Sequence, residues 1–166
     1  IPVETVAGRR VTSDETLEVA KMVFAGKLNT DLLAALRRAH VPGVGLSGVD
    51  GDLIHARRRP LLEVTDPDSG STREVDFGWV GDVEAVNPRL VEHLLEGGFV
   101  PAVCSLAGGD DGAVLNVNAD TIAARLAVAL KAVKLILLTS IDGVLADPLD
   151  PGSLISHMDR ARLEEL

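Results

Sequence analysis

The sequence predicts a layered α/β domain with a mostly parallel sheet covered by helices on both faces. Apolar segments of strand character alternate with segments of helical periodicity along the chain, as is typical of parallel sheets joined by crossover helices. One segment, Lys134–Leu138, is apolar after its first residue, as expected of a strand buried on both faces. The chain has 166 residues, of which 46% are hydrophobic, so one domain can bury a substantial core.

The first third of the chain predicts two helices and a strand. Thr12 or Ser13 caps the first helix, in "TSDETLEVAKMVFAGK", and Gly26 ends it. The second helix is "NTDLLAALRRAH", with Asn29 or Thr30 as its cap. The segment "VPGVGLSG" then predicts a strand, and "VDGDLI" predicts a turn that leads into the next strand.

The middle of the chain predicts a β-hairpin and then a capped helix. Two polar-apolar alternations flank "DPDSG" at residues 66–70, and these residues are typical of a turn. In "VNPRLVEHLLEGG", Asn87 caps a helix, Pro88 takes its first position, and Gly97 or Gly98 provides a left-handed exit. The strand Val100–Leu106 follows at once.

The last part predicts a strand, a helix and a further strand, separated by glycine-bearing loops. The loop Ala107–Gly112 leads into the strand Val114–Val117, and the helix Ala119–Ala132 follows. After the buried strand named above comes the loop in "TSIDGVLADP". A loop of this kind at the edge of a sheet is able to wrap a nucleotide, although the pattern by itself is weakly specific.

Composition excludes several classes of function. The formal charge of −9 argues against a nucleic-acid partner, which needs clustered basic residues. No apolar run is long enough for a membrane helix, so we expect a cytoplasmic protein without a membrane partner. The single Cys104 lies in an apolar strand and is interpreted as a small buried residue. The histidines show no metal-ligand spacing, so we predict no protein-held metal site.

A polar ladder, "LNVNAD", stands where a strand turns into a helix. Asn116 and Asn118 share one face of the strand because alternate residues do. They offer neutral donors and acceptors able to hold a carboxylate or an amide. Asp120 is placed either to cap the helix or to organise cations nearby. A purely structural interpretation also fits: Asp120 is only a cap, and the asparagines satisfy loop backbone.

Five segments, in order, carry a resemblance to a known family. They are "GRRVTSDETLEVAKMVFAGKLN", "VGLSGVDGDLI", "VGDVEAVNPRLVEHLLEGGFVPAV", "DDGAVLNVNADTIAARLAVAL" and "KLILLTSIDGVL". With these segments the chain resembles the acetylglutamate kinases of the amino acid kinase family. The resemblance implies a three-layer αβα sandwich with a mostly parallel sheet, forming a homodimer or larger homo-oligomer. It also implies one domain over residues 1–166, with a substrate-binding part at about 1–105 and a nucleotide-binding part at about 106–166.

The resemblance implies that ATP, with Mg²⁺, phosphorylates the side-chain carboxylate of N-acetyl-L-glutamate to an acyl phosphate in arginine biosynthesis. By this resemblance Arg10 binds a substrate carboxylate, Asn116 contacts the acetylated amino acid, and Asp120 orients two catalytic lysines. A guanidinium fork suits a bidentate carboxylate contact. The resemblance also implies that the hairpin folds over the acetylated substrate as a lid, with Trp79 and Gly81 as candidate lid residues. The segment implied to line the ATP site consists of Ser140, Ile141, Asp142, Gly143, Val144 and Leu145.

The sequence departs from the family pattern in two respects. Ser140 stands where relatives commonly carry Asp, and none of the four lysines lies in a segment that matches the family's catalytic lysines. The lysines are Lys21, Lys27, Lys131 and Lys134. We therefore expect the chain to be the central portion of such a kinase, incomplete at both ends and inactive alone. Two other functions stay open: a kinase for carrier-protein-linked aminoadipate or glutamate, and a non-catalytic module that binds nucleotide or amino acid.

Overall fold

A mixed sheet of five strands organises the first of two units of the chain. The computed structural model describes residues 5–6, 9–65, 70–140, 143–147 and 149–164. The chain divides into the units Ile1–Leu135 and Ile136–Leu166. The strands are β1 (Thr5–Val6), β2 (Arg9–Arg10), β3 (Gly43–Gly48), β4 (Ile54–Arg58), β5 (Leu62–Thr65), β6 (Thr72–Val75), β7 (Gly81–Val86), β8 (Val100–Gly108) and β9 (Val114–Asn116). The helices are α1 (Asp14–Ala20), α2 (Asn29–Arg38), α3 (Arg89–Glu96), α4 (Ala119–Ala129) and α5 (Arg160–Glu164).

The order of strands in the main sheet is β3-β8-β4-β7, and β9 pairs with the end of β8. β8 runs parallel to β3 and to β4, whereas β7 and β9 add antiparallel pairs. The hairpin β5–β6 and the pair β1–β2 are separate two-stranded ribbons. The predicted α/β class is therefore confirmed.

Helices cover both faces of this sheet, and the strand β8 shows how. Leu106 of β8 packs with Leu17 and Ala20 of α1, and Cys104 packs beside them. The next residue, Ala107, belongs instead to the cluster that contains residues of α3 and α4. Because successive strand residues point to opposite faces, β8 contacts helices on both sides. This arrangement is the predicted three-layer sandwich.

The two predicted N-terminal helices form one continuous helical run, and the predicted end at Gly26 is wrong. Ser13 caps α1 as predicted, since its hydroxyl accepts from Thr16 N at 3.2 Å. A π-helical segment, Lys21–Leu28, then leads directly into α2. Neither predicted cap of the second helix, Asn29 or Thr30, caps α2, because Leu28 holds the N-cap position and makes no side-chain hydrogen bond. A glycine inside a helix costs only about 1 kcal/mol relative to alanine, which packing readily offsets.

The hairpin forms as predicted, whereas α3 begins one residue later than predicted, because Pro88 holds the N-cap position and Arg89 is the first helical residue. β5 and β6 pair antiparallel in a register that sets Leu62 opposite Val75; the predicted turn residues 66–69 lie outside the described residues. Asn87 Oδ1 accepts from Arg89 N at 3.4 Å before α3, and Gly98 has φ 79° after it. The left-handed exit is therefore at Gly98, one of the two predicted positions.

The predicted strand Lys134–Leu138 is not formed. These residues adopt no regular structure, and Ile136 and Leu138 expose 71% and 94% of their surface. A strand needs partners elsewhere in the chain for its backbone hydrogen bonds, and no described strand pairs with this run. The second unit contains a 3₁₀ turn, Pro151–Ser153, and α5. Among the described residues, no helix is long and apolar enough to cross a membrane.

Candidate functional site

The polar ladder lies at the junction of β9 and α4, where three of its residues have different environments. Asn118 is the N-cap of α4, because its Oδ1 accepts from Thr121 N at 2.9 Å. The interpretation of Asp120 as the cap is therefore wrong. Asp120 lies in the first turn of α4, exposed, and its carboxylate makes no hydrogen bond or ion pair with another described residue. It remains available for a ligand or a cation.

Asn116 contacts a residue from the start of the chain. Its Nδ2 donates to Thr12 Oγ1 at 3.2 Å, across 104 positions of sequence. Thr12 is 1% exposed and is the only buried polar residue among those that the structure describes. This hydrogen bond brings two of the resembling segments, "GRRVT" and "LNVNAD", into direct contact.

The segment Phe77–Val80 joins these two parts of the chain through its backbone. Thr12 N donates to Phe77 O at 3.0 Å, and Trp79 N donates to Thr12 O at 2.8 Å. On the other side, Asn116 N donates to Trp79 O at 2.8 Å. Parallel bridges between Thr12 and Gly78 and between Val80 and Asn116 complete the ribbon. The site is thus built from three segments that are distant in sequence.

Gly78 allows the close approach of two of these segments. Its φ is +69°, and a Cβ placed on it would lie 2.1 Å from Thr12 O. Both the left-handed backbone and the short distance require glycine here. Gly81, by contrast, lies in β7, where an added Cβ would meet Leu115 and Val117. Gly81 is therefore closely packed in the sheet, and its role in a lid stays a prediction.

Arg10 ends β2, with its side chain exposed and without a described hydrogen-bond or ion-pair partner. Arg10 stands two residues before Thr12, so the Cα atoms of the two residues are at most about 7 Å apart. The backbone of Arg10 is therefore held close to the Thr12–Asn116 contact, while its guanidinium remains available. The role of Arg10 as a carboxylate ligand stays a prediction.

The basic run beside the hairpin is neutralised by carboxylates. Arg57 pairs with Glu84 at 3.2 Å, Arg58 with Asp76 at 3.0 Å, and Arg59 with Asp82 at 2.5 Å. The run is therefore part of the local structure, because its charges are matched within the chain. It does not form an anion site.

The predicted nucleotide segment belongs to the second unit and is described by itself. Ser140 is exposed, whereas Ile141 and Asp142 lie outside the described residues. Gly143 has φ 147°, and Leu145 forms an antiparallel bridge with Leu154. The predicted roles of Ser140, Gly143, Val144 and Leu145 in holding ATP stay predictions.

The described part of the chain contains no group of three or more His, Cys, Asp or Glu residues placed to hold a metal ion. Cys104 is partly buried on β8, and burial raises the pKa of its thiol. Its thiolate is therefore disfavoured, and the side chain acts as a packing residue.

Sequence reasoning missed the structural roles of Thr12 and Trp79. The sequence indicates Thr12 only as a candidate helix cap and Trp79 only as a candidate lid residue. The sequence does not distinguish a threonine whose hydroxyl is buried from a threonine that caps a helix. The one available signal was that Trp79 is the sole tryptophan, in the short stretch "FGWVG" that follows the hairpin.

With this geometry established, comparisons identify the class of protein. The chain belongs to the amino acid kinase family, whose pattern it matches over residues 2–166. It is 56% identical over 156 residues to the acetylglutamate kinase of Myxococcus xanthus, covering 94% of this chain and 51% of that protein. It is 49% identical to the acetylglutamate kinase of Methanopyrus kandleri, covering 97% of this chain and 63% of that protein. The chain thus spans about half the length of the Myxococcus xanthus relative.

Solved structures show the same fold. The protein smu.665 of Streptococcus mutans aligns with a TM-score of 0.70 and 34% identity, over 87% of this chain and 54% of that chain. The N-acetylglutamate synthase of Neisseria gonorrhoeae, solved with coenzyme A and N-acetyl-glutamate, aligns with a TM-score of 0.66 and 26% identity. That alignment covers 87% of this chain and 30% of the synthase.

Proposed function

We propose that this chain carries the acceptor site of an acetylglutamate kinase. The reaction is the ATP-dependent phosphorylation of the side-chain carboxylate of N-acetyl-L-glutamate to an acyl phosphate, a step of arginine biosynthesis. The observation that carries the proposal is the hydrogen bond between Thr12 and Asn116, which joins "GRRVT" to "LNVNAD". The names of the relatives at up to 56% identity support the choice of substrate.

The polar groups at this junction suit an acetylated amino acid. Asn116 gives one of its amide N–H groups to Thr12, so its Oδ1 is free to accept from the amide N–H of the substrate. Arg10 supplies a permanently charged fork for a carboxylate. Asp120, with no described partner, holds the cations that neutralise the transferred phosphoryl group.

ATP and Mg²⁺ enter the proposal as the phosphoryl donor and its metal ion. Mg²⁺ in such sites is held largely by phosphate oxygens and water, so few protein ligands are needed. The described residues of the 140–145 segment contribute one hydroxyl and backbone groups but no cation. They do not by themselves form a phosphate site, and we derive no step of the transfer from them.

We further propose that the 166 residues alone bind the acceptor without transferring phosphate. Lys21 and Lys27 are paired with Glu18 and Asp31 along the N-terminal helical run. Neither contacts Thr12 or Asn116. Phosphoryl transfer depends on cations around the transferred group, and their removal typically costs several orders of magnitude in rate. The homo-oligomeric state and the cytoplasmic location stay predictions.

Titration calorimetry of the 166-residue chain with N-acetyl-L-glutamate tests the acceptor site. We expect saturable binding that is weakened at least tenfold by Arg10→Gln, since a charge-assisted contact is lost. Arg38→Gln, an exposed arginine on α2, is the matched control and should bind like the parent chain. L-glutamate without the acetyl group should bind more weakly.

Absence of binding, or equal binding of glutamate and acetylglutamate, would contradict the proposal. A kinase for carrier-linked substrates would ignore free acetylglutamate. A nucleotide-sensing module would bind ATP but not the amino acid, so the same titration with ATP separates that alternative.

A further inference from the structure

The side chain of Trp79 is held from two sides at the centre of the candidate site. Its indole Nε1 donates to Asp14 Oδ1 at 2.5 Å, across 65 positions of sequence. The guanidinium carbon of Arg58 lies 5.1 Å from the centre of its ring, within the range of a cation–π contact. Asp14, Trp79 and Arg58 together are named the indole latch.

Both outer members of the latch are themselves fixed to structure. Asp14 is the first residue of α1, directly after its cap Ser13. Arg58 on β4 donates through Nε to Gly78 O at 2.9 Å, and its Nη2 pairs with Asp76 Oδ2 at 3.0 Å. The latch therefore ties the start of α1 and the end of β4 to the segment Phe77–Val80.

The backbone of the same tryptophan forms the bridge of the site. Trp79 N donates to Thr12 O and Trp79 O accepts from Asn116 N, each at 2.8 Å. Any displacement of the Trp79 backbone therefore changes the spacing of Thr12 and Asn116. The same residue thus pairs its indole N–H with a carboxylate on α1 and its backbone with Thr12 and Asn116.

We propose that Trp79 is a positioning residue: the indole latch sets the distance between the Arg10–Thr12 segment and Asn116, and so sets the affinity for the acceptor. The claim about affinity rests on the proposed function, because that function supplies the ligand. The claim that the indole latch sets the distance between the two segments does not depend on it. The indole–carboxylate bond is charge-assisted, so its loss should loosen the bridge measurably.

The chain contains one tryptophan and no tyrosine, so its intrinsic fluorescence reports on Trp79 alone. The test uses the 166-residue chain with Asp14→Ala, Asp14→Asn and Trp79→Phe. Asp31→Ala is the matched control, because Asp31 is also an exposed aspartate of the helical run and pairs only with Lys27. Three quantities are measured: tryptophan emission, hydrogen exchange of the amides of Thr12, Trp79 and Asn116, and the Kd of N-acetyl-L-glutamate.

We expect Asp14→Ala to shift the emission, to speed exchange of the three amides about tenfold, and to raise the Kd by a similar factor, as for a lost charge-assisted bond. Asp14→Asn, whose amide oxygen still accepts from the indole but carries no charge, should recover about half of each effect. Trp79→Phe keeps a ring for Arg58 but removes the N–H, so it should match Asp14→Ala in exchange and Kd. The double variant Asp14→Ala/Trp79→Phe should show nearly the same exchange rates and Kd as either single variant, because both changes remove the same hydrogen bond.

Two results would overturn the inference. The first is that Asp14→Ala behaves like Asp31→Ala in emission and exchange, which would show that no latch exists. The second is that exchange accelerates but the Kd is unchanged, which would reduce Trp79 to a structural role. If the parent chain binds no acetylglutamate, the proposed function fails, and the exchange of the three amides still decides whether the latch sets the spacing.

Discussion

Replacing Gly78 with alanine should loosen the junction of the candidate site more than replacing a comparable glycine elsewhere. Gly78 has φ +69°, and an added Cβ would lie 2.1 Å from Thr12 O. Gly98 has φ +79°, yet an added Cβ there would meet nothing within 4 Å. The two variants share the cost of a left-handed alanine, and only Gly78→Ala adds a collision with backbone.

The magnitude follows from these two contributions. A left-handed backbone costs a non-glycine residue about 1–2 kcal/mol. A Cβ at 2.1 Å forces Thr12 O to move by about 1 Å, which breaks the 2.8 Å bond from Trp79 N. Loss of that buried bond adds about 1–2 kcal/mol. We therefore expect Gly78→Ala to lower the free energy of unfolding by about 2–4 kcal/mol, and Gly98→Ala by about half as much.

Urea unfolding measures the difference. With a slope of about 2 kcal/mol per molar urea, the midpoint should fall by about 1–2 M for Gly78→Ala and by about 0.5–1 M for Gly98→Ala. Affinity for N-acetyl-L-glutamate should fall only in Gly78→Ala, since only this variant moves Thr12. Equal midpoints for the two variants would refute the reasoning, because they would show that the close approach at Thr12 carries no cost.

Three further predictions follow from single contacts. Thr12→Val removes the hydroxyl that accepts from Asn116, so it should cost about 1 kcal/mol and lower Tm by about 2–4 °C; an unchanged melting curve would contradict this hydrogen bond. Asp120→Asn should change stability by less than about 1 kcal/mol, because the carboxylate meets only the helix dipole, and a larger loss in urea unfolding would reveal a structural role. Burial raises the pKa of the Cys104 thiol, so alkylation at pH 8 should be slower in the native chain than in the urea-unfolded chain. Above pH 9.0, the ordinary pKa of a thiol, the unfolded chain loses the proton of Cys104 while the native chain keeps it, so the free energy of unfolding should fall as pH rises. Equal alkylation rates in the native and the unfolded chain would argue against burial of Cys104.

Features with local causes were predicted well from the sequence. The cap at Ser13, the hairpin formed by β5 and β6 and the exit at Gly98 depend on residues close to one another in the chain. The alternation of these elements was sufficient to predict the α/β class. One local prediction is wrong: Gly26 has a low helix propensity, yet the helical run continues through it from α1 into α2.

Features with non-local causes were predicted incompletely. The apolar run Lys134–Leu138 has the composition of a buried strand, but composition does not supply the neighbouring strands that would pair with it. "NVNAD" contains two residues able to cap α4, and the exit of β9 decides that Asn118 is the cap. Asp120 is left with an unpaired carboxylate for that reason.

The order of residues along the chain was enough to predict the α/β class and to place Asn116 and Asp120 in a polar ladder at the start of a helix. The contact between Thr12 and Asn116, and the backbone of Trp79 that bridges them, became known from the folded chain alone. Helix caps and tight turns form between neighbours in the chain, so residue type is enough to indicate them. A site made from residues 12, 79 and 116 depends on how three distant segments pair, and pairing is set by the packing of the whole sheet.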